Sequence, residues 1–273
     1  MGKTKIEWCD YTINPVIGCS KCSPGCENCY AEKFAARLAK NPATAKKYSS
    51  VVSKTGEWNR HIVYDLLNPL AGLPKKPRKQ GQRVFVCSMG DLFHDDMPYG
   101  IIGSVYRALK DQPYIFLLLT KRPENMQEVI LGMVDEFDDN PLPNVWLGVS
   151  VCNDEEALRK IPPLLDTPAA KRFVSIEPML GPIDISPFVA KCGWVHQQDF
   201  QATACLKNPW RPSLDWVICG GETGPGAREM KTAWAESLHD KCADEGNPFF
   251  FKGWGPKARG RLICGHEHNE APK

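Results

Sequence analysis

Apolar residues in this chain are gathered in short, nearly continuous runs rather than in an alternating pattern. The runs begin roughly 30 to 40 residues apart, which is the length of a βα repeat. Continuous apolar runs are typical of strands that are buried on both faces of a parallel sheet. A short extended segment, Thr12–Ile17, is a candidate for an additional first strand. The six main predicted strands are Arg83–Ser88, Tyr114–Thr120, Val145–Val151, Arg172–Glu177, Asp215–Gly220 and Pro248–Lys252.

The intervals between these runs carry helical patterns. Strand and helix therefore alternate along the chain, which predicts an α/β fold with a parallel sheet. Six or seven such units fit a partial (βα)6-type TIM-like barrel better than a closed eight-fold one, and residues 1–273 are expected to form a single domain. The predicted helices are Tyr30–Ala39, Tyr99–Lys110, Pro123–Val134, Asp154–Leu165 and Thr232–Glu245.

Two insertions and a tail interrupt the repeat. Residues 46–82 form a long insertion with a basic end, and residues 187–213 lengthen one connection. The second insertion contains potential ligands for a further metal ion. The tail, residues 256–273, is consistent with either a zinc site or a flexible segment. The potential ligands are Cys192, His196 and Cys205 in the insertion, and Cys264, His266 and His268 in the tail.

Composition and charge restrict the class of protein. Hydrophobic residues make up 42% and charged residues 24% of the 273 positions, which is usual for a globular chain and excludes global disorder. The formal net charge is only +2, so no overall field favours nucleic acid or anionic lipid. Neither a long apolar segment nor an apolar N-terminal signal is present in the sequence, and we therefore expect a cytoplasmic protein without a membrane partner.

Polar and glycine residues follow the predicted strands at their carboxyl ends. In parallel α/β folds these ends form one face, and that face holds the active site. The alternative is that strand-to-helix turns need polar caps and glycines in any case. The residues at these ends are Ser88, Gly90, Asp91, Lys121, Arg122, Ser150, Glu177, Gly220, Gly221, Glu222 and Lys252.

Four of the twelve cysteines lie close together near the N-terminus, at Cys19, Cys22, Cys26 and Cys29. In a reducing compartment such crowding indicates metal or redox chemistry rather than disulfides. Four thiolates would suit a structural zinc ion in kind and number. The spacing Cys-x3-Cys-x2-Cys from Cys22 to Cys29 instead supplies three thiolates to a four-iron cluster and leaves one iron open. Both readings remain open at this point.

The cysteine motif, followed by an aromatic residue and placed between a strand and a helix, resembles that of the radical S-adenosylmethionine superfamily. More closely, residues 6 to 255 are similar to a phage-associated protein family within or near that superfamily, with the spore photoproduct lyases as its nearest named relatives. In that family the cysteines match Cys19, Cys26 and Cys29, whereas the superfamily spacing selects Cys22, Cys26 and Cys29, so the third ligand stays open. The matching stretches include IEWCDYTINPVIGC, SPGCENCYAEKFA, VFVCSMGDLFHDD, LLLTKRPENM, RFVSIEPMLGPID and DWVICGGETGPGARE.

The resemblance implies a [4Fe–4S] cluster and S-adenosylmethionine as cofactors, with a flavodoxin or ferredoxin as electron donor. It further implies that one electron cleaves the sulfonium to give methionine and a 5′-deoxyadenosyl radical, while the protein supplies position and shielding from water. On this basis Ser88, Gly90 and Asp91 would meet the methionine ammonium, Lys121 or Arg122 its carboxylate, and Ser150 and Glu177 the ribose. Gly220, Gly221, Glu222 and Arg228 would line the adenine or substrate side. The candidate catalytic residues are Lys121, Arg122, Glu222, Arg228 and Lys252.

The functional hypothesis is thus a radical S-adenosylmethionine enzyme that acts, by analogy with the lyases, on nucleic acid or a nucleotide. The alternative is a zinc-stabilised α/β binding module without radical chemistry. A basic run with Trp58 upstream would contact phosphates, although a solvated run of charges explains it equally well. That run contains Lys75, Lys76, Arg78 and Lys79.

The remaining cysteines and histidines receive simpler interpretations. His94 lies beside Asp95 and Asp96, and a solvated turn explains this group better than a metal site does. The cysteines inside or next to the apolar runs are expected to be ordinary core residues, and they are Cys87, Cys152 and Cys219.

Overall fold

Seven parallel strands form one open sheet that curves into a half-barrel. The structure is a computed structural model that describes residues 4–133, 141–189, 212–255 and 260–272. Its strands are β1 (Tyr11–Ile13), β2 (Val16–Ile17), β3 (Val63–Tyr64), β4 (Arg83–Val86), β5 (Ile115–Thr120), β6 (Val145–Val151), β7 (Lys171–Ile176), β8 (Trp216–Gly220), β9 (Phe249–Gly253), β10 (Leu262–Ile263) and β11 (His266–Glu267). Its helices are α1 (Tyr30–Ala39), α2 (Ala45–Tyr48), α3 (Tyr99–Leu109), α4 (Pro123–Gly132), α5 (Asp154–Leu165), α6 (Ser186–Val189) and α7 (Thr232–Asp244).

The sheet contains its strands in the order β1-β4-β5-β6-β7-β8-β9. All six main predicted strands are confirmed with small shifts at their ends. The predicted first strand is confirmed only in part, because the segment divides after Ile13. Its first half, β1, pairs with β4, whereas its second half, β2, pairs antiparallel with β3 of the first insertion. The predicted parallel α/β architecture is therefore present, with seven strands in the sheet.

The five predicted helices are also confirmed. Two of them, α1 and α5, match the prediction at both ends, and the others end one or two residues earlier than predicted. Helix α5 shows why the sequence pattern was informative, since the side chain of Asn153 accepts a hydrogen bond from the backbone N–H of Glu156 at 2.9 Å. This is the usual N-cap contact, which satisfies a backbone donor that the helix itself leaves free.

The two faces of the sheet are covered differently. One face packs under the helices, and the other turns into the half-barrel, because successive side chains of a strand point to opposite sides. The inward side chains near the amino ends of the strands are large and, apart from Leu117, aromatic, so they fill this half of the interior. These residues are Phe85, Leu117, Trp146, Phe173, Trp216 and Phe250.

Gly148 makes room for one of these rings. A Cβ atom at position 148 would lie 2.4 Å from Cζ of Phe173, which is far inside van der Waals contact. We therefore expect Gly148→Ala to lower the free energy of unfolding by about 1 to 3 kcal/mol, the range for overpacked cores. Gly132→Ala is the control, because nothing lies within 4 Å of that position. Urea unfolding of both variants measures the difference, and equal stabilities would contradict the packing described here.

The first insertion covers helix α1 and also reaches the opposite end of the sheet. The backbone N–H of Trp58 donates to Glu32 Oε1 of α1 at 2.9 Å. Further along, the Tyr114 hydroxyl donates to the carbonyl of Pro74 at 2.9 Å, just before β5 begins. The basic run after Pro74 is exposed. The basic run therefore lies near the amino ends of the strands. Trp58 lies against helix α1 instead, so it is not part of the same surface.

Much of the second insertion, including Cys192, His196 and Cys205, lies outside the described residues. From residue 260 onward the tail packs on the half-barrel, where Ile263 is buried. The backbone N–H of Phe251 donates to the carbonyl of His268 at 2.8 Å. In the described part of the chain the tail cysteine and histidines do not assemble a metal site. None of the helices described combines the length and apolar character needed to cross a bilayer.

Candidate functional site

The carboxyl end of the half-barrel is polar, in contrast to its aromatic amino end. Lys121, Ser150, Glu177 and Lys252 each lie two residues beyond an inward position of β5, β6, β7 or β9, so their side chains share the concave face. The ammonium of Lys121 donates to Ser150 Oγ at 2.8 Å. The ammonium of Lys252 forms an ion pair with Glu177 Oε1. Four of the predicted site residues are thus brought together as two pairs inside the half-barrel.

A loop that contains the four clustered cysteines lies across this end, and we call residues 18–29 the cysteine loop. At its start the backbone N–H of Gly18 donates to the carbonyl of Met89 at 3.1 Å. At its middle, a Cβ on Gly25 would lie 3.4 Å from Cδ of Pro178 and 3.5 Å from Cβ of Cys152. The loop therefore rests on the residues that follow β4, β6 and β7.

Arg122 fixes the first half of the cysteine loop. Its guanidinium donates to Ser20 Oγ at 2.8 Å and to the Ser20 carbonyl at 3.2 Å. It also reaches Cys19 Sγ at 3.9 Å. Arg122 is only 5% exposed, so these contacts are shielded from water and hold the loop against the end of β5.

Two carboxylates hold Arg122 in turn. Asp91 Oδ2 accepts from Arg122 Nη1 at 3.1 Å, and Asp95 Oδ2 accepts from Nε at 3.1 Å. Asp91 also accepts from the Thr120 hydroxyl at 2.8 Å and from the backbone N–H groups of Phe93 and Lys121. The acceptor capacity of Asp91 is therefore used within the protein, which makes it a positioning residue for Arg122.

His94 completes this group and corrects one expectation. It is 2% exposed rather than part of a solvated turn. Its Nδ1 accepts from the backbone N–H of Asp96 at 3.1 Å, so Nε2 carries the proton and donates to Ser20 Oγ at 2.7 Å. Burial and the neighbouring Arg122 lower the pKa of His94, which keeps the ring neutral. The histidine is buried because Ser20 gives it a partner.

Glu222 and Arg228 fix the second half of the cysteine loop. The Glu222 carboxylate accepts from Arg228 Nη2 at 2.5 Å and from the Asn28 amide at 3.0 Å. Arg228 extends from this pair to Glu27 Oε2 at 2.7 Å and to the carbonyl of Pro24 at 3.0 Å. The glycine-rich segment after β8 thus contacts the cysteine loop directly, and in this structure both charged residues serve to hold it.

The thiols form a small group between these two anchors. Cys22 donates a hydrogen bond to Cys26, and this bond lowers the pKa of Cys26. Burial acts in the opposite direction, whereas the Lys121 ammonium lowers the pKa further. The same hydrogen bond raises the pKa of Cys22. Burial would by itself lower the pKa of Lys121, but the sulfur atoms of Cys26, Cys29 and Cys22 raise it. Lys121 is therefore a cation that lies close to all three sulfur atoms.

Cys19 differs from the other three cysteines. Burial raises its pKa to about 12, and its sulfur faces the Arg122 guanidinium rather than Lys121. Cys22, in contrast, is exposed. Of the four cysteines, Cys19 and Cys29 are half-buried and Cys26 is buried, and only Cys22, Cys26 and Cys29 lie near Lys121.

These differences predict which thiol reacts first in metal-free protein. A lowered pKa places more thiolate at a given pH, and the thiolate is the nucleophile. We expect alkylation of Cys26 by iodoacetamide to reach half its maximal rate well below pH 9, while Cys19 reacts slowly throughout. Mass spectrometry of anaerobic samples between pH 5 and pH 9 measures both rates. Faster modification of Cys19 than of Cys26 at neutral pH would contradict the arrangement.

The donor set fits an iron–sulfur cluster in its chemistry. Thiolates are the ligands that such clusters use, and Lys121 offsets their negative charge. Among the described residues, no three histidine, cysteine or acidic side chains meet around a single point as one metal ion would need. A zinc ion requires thiolates at about 2.3 Å from one centre. In kind, the same thiolates suit a four-iron cluster and a zinc ion.

Several predicted cofactor contacts are engaged in packing. Ser88 donates to Asn14 Oδ1 at 3.2 Å. A Cβ on Gly90 would lie 3.0 Å from the carbonyl of Gly18, so this glycine lets the chain approach the start of the cysteine loop. A Cβ on Gly221 would lie 2.5 Å from the carbonyl of Trp254. Gly220 is different, because it faces Glu177 and Lys252 at the edge of the polar interior.

Sequence reasoning missed two participants. Cys152 is buried as expected, with burial raising its pKa to about 11, but it also touches the cysteine loop at Gly25. Cys152 directly follows β6, at the same strand end as the predicted site residue Ser150. This position could have indicated that it lies near the site. Asn28 joins the loop to Glu222, and nothing in its sequence context indicates that contact.

Comparison with known proteins gives a family for this chain. No curated protein and no solved structure matches it significantly. A family model described as "Protein of unknown function (DUF5131)" matches residues 3–272. Since the match spans nearly the whole sequence, the chain belongs to the DUF5131 family.

Proposed function

We propose that this protein is a radical S-adenosylmethionine enzyme whose cysteine loop holds a [4Fe–4S] cluster. The observation that carries the proposal is the placement of three thiols beside the Lys121 ammonium, over the polar carboxyl end of a half-barrel. This end is where parallel α/β folds place their active sites.

When bound and reduced, the cluster supplies the electron that cleaves S-adenosylmethionine into methionine and a 5′-deoxyadenosyl radical. We also infer that the half-barrel is of the (βα)6 TIM-like type.

The cluster ligands are Cys22, Cys26 and Cys29 in this proposal. The exposure of Cys22 and its contact with Cys26 favour it over Cys19. The half-buried Cys19 lies against the Arg122 guanidinium, which reaches its sulfur at 3.9 Å, whereas the other three thiols lie near Lys121. In this proposal Cys19 is not a cluster ligand.

The contacts of Lys121 and Arg122 favour different roles for them. The donors of Arg122 are used by Asp91, Asp95 and Ser20, so Arg122 positions the loop. Among the described residues, the ammonium of Lys121 donates a hydrogen bond only to the Ser150 hydroxyl. Its ammonium can therefore meet the carboxylate of S-adenosylmethionine, with Ser150 beside it.

Glu177 and Lys252 lie on the other side of the polar interior and complete the site. Their ion pair keeps two opposite charges inside the half-barrel, where they can hold hydroxyl groups of the ribose or of the substrate. The substrate remains a nucleic acid or nucleotide in this proposal, and the electron donor a flavodoxin or ferredoxin of the cytoplasm.

The test is anaerobic purification followed by a turnover assay. We expect brown protein that contains iron and sulfide in near-equal amounts, and formation of 5′-deoxyadenosine after addition of dithionite and S-adenosylmethionine. Lys121→Met is expected to keep its iron but to bind S-adenosylmethionine at least tenfold more weakly, as measured by calorimetry. Colourless protein that contains one zinc ion per chain would overturn the proposal and favour a zinc-stabilised binding module.

A further inference from the structure

A pocket opens at the amino end of the half-barrel, opposite the cysteine loop. Its volume is about 260 Å³. It lies between the start of β4, β5 and β6 on one side and the end of the described tail on the other. The lining includes Lys79, Arg83, Trp146 and Pro272. The proposed function uses none of these residues.

Arg83 is the central feature of this pocket. Its Nη1 atom is buried and has no hydrogen-bond partner among the residues that the structure describes, and its guanidinium lies over the Trp216 ring at 5.0 Å. Asp10 also lines the pocket and lies near Arg83, but its carboxylate accepts from the Arg83 backbone N–H at 2.8 Å and from Gln82 Nε2 at 3.2 Å. The guanidinium thus has the Trp216 ring but no hydrogen-bonded carboxylate among the described residues, and it keeps donors that an anion can use.

The surroundings indicate which kind of anion fits. Lys79 also lines the pocket, and it ends the exposed basic run that begins at Lys75. Several cations at and beside the pocket favour a group with more than one negative charge, and Arg is suited to bidentate binding of phosphate. Ile115 and Trp146 supply apolar walls against which an organic part of the ligand can pack.

We propose that this pocket binds a phosphoryl group, carried either by a small phosphorylated compound or by the end of a nucleic acid. Arg83 provides the buried contact, and Lys79 provides the exposed one. The proposal does not depend on a cluster in the cysteine loop, since the two sites lie at opposite ends of the sheet.

The test compares ligands with and without the phosphoryl group, using calorimetry on the full chain. The probes are inorganic phosphate, adenosine 5′-monophosphate, adenosine, and a short oligonucleotide with either a 5′-phosphate or a 5′-hydroxyl end. We expect saturable one-site binding only for probes with a terminal phosphoryl group. Tight binding of the nucleotide indicates a small compound, and tight binding of the phosphorylated oligonucleotide indicates a nucleic-acid end. Equal binding of adenosine, or of the 5′-hydroxyl oligonucleotide, would overturn the proposal.

Two variants separate binding from folding. Arg83→Met keeps the apolar contact with Trp216 but removes the charge, and it is expected to weaken phosphate binding at least tenfold. Arg83 Nη1 has no hydrogen-bond partner among the described residues. We therefore expect the melting temperature of Arg83→Met, measured without phosphate, to equal or exceed that of the wild type. Lys79→Glu is expected to weaken binding severalfold, and Lys54→Glu, on another part of the first insertion, should leave it unchanged. Unaltered affinity in both pocket variants would overturn the proposal.

Discussion

Replacement of Cys26 or Cys29 by serine is expected to remove nearly all iron from the anaerobically reconstituted protein. Wild-type protein should hold about four irons per chain, as a [4Fe–4S] cluster requires, and each variant well under one. The reason is that serine oxygen replaces thiolate poorly as an iron ligand. Iron and sulfide analysis, together with the visible absorption spectrum, measures the loss. A variant at Cys26 with wild-type iron content would contradict the assignment.

The same measurement identifies the third ligand. We expect Cys22→Ser to lose iron as completely as Cys26→Ser, and Cys19→Ser to retain most of it, since Cys19 contacts Arg122 and is not among the three thiols near Lys121. Cys264→Ser is the matched control, because that cysteine is exposed in the tail and lies outside the site. The reverse pattern, with loss at Cys19 and retention at Cys22, would support the ligand set of the phage-associated family.

Arg122→Met is expected to lower the free energy of unfolding by about 3 to 5 kcal/mol, the usual cost of breaking a buried ion pair. The change leaves the Asp91 carboxylate buried without its cation and removes the contacts to Ser20. Arg122→Lys keeps a charge but not the forked geometry, so an intermediate loss is expected. Equilibrium unfolding in urea, performed on metal-free protein, measures both variants.

The control for this prediction is Arg159→Met, which removes an exposed pair with Glu124 and should change stability by less than about 0.5 kcal/mol. A second readout tests the loop itself. Without Arg122 the first half of the cysteine loop loses its anchor, and alkylation of Cys19 should become markedly faster. If Arg122→Met unfolds like wild type and Cys19 stays protected, Arg122 does not hold the loop.

The sequence predicted the scaffold well because the strands are buried on both faces. Runs such as Val145–Val151 are apolar throughout, and the structure buries every residue of that strand. Helix ends were also marked locally, as Asn153 shows for α5. The segment 12–17 was harder to interpret, because its division between two sheets depends on the distant partner Val63–Tyr64.

The anchors of the cysteine loop could not be predicted from the sequence. Arg122 contacts Ser20 across 102 positions, and Arg228 contacts Pro24 across 204. The sequence placed Arg122 and Arg228 at or just after the carboxyl end of a strand. The sequence pattern could not show whether such a side chain binds a ligand or holds a loop in place. His94 shows the same limit, since its neighbours Asp95 and Asp96 indicated a solvated turn, whereas the hydrogen bond with Ser20 of the cysteine loop allows burial.

The two ends of the half-barrel therefore have distinct characters. Aromatic side chains such as Trp146 and Phe173 fill the amino end and give the sheet a rigid interior. The polar pairs Lys121–Ser150 and Lys252–Glu177 occupy the carboxyl end, where the cysteine loop covers them. The charged groups of the carboxyl end therefore lie apart from the aromatic packing of the amino end.

The most direct test of the cluster is the electron paramagnetic resonance spectrum of reconstituted, dithionite-reduced protein, recorded before and after addition of S-adenosylmethionine. We predict the signal of a reduced [4Fe–4S] cluster whose g values change when S-adenosylmethionine is added, because one iron is left without a cysteine. A protein that yields no cluster signal, or a signal that S-adenosylmethionine leaves unaltered, would contradict an open iron in the cysteine loop.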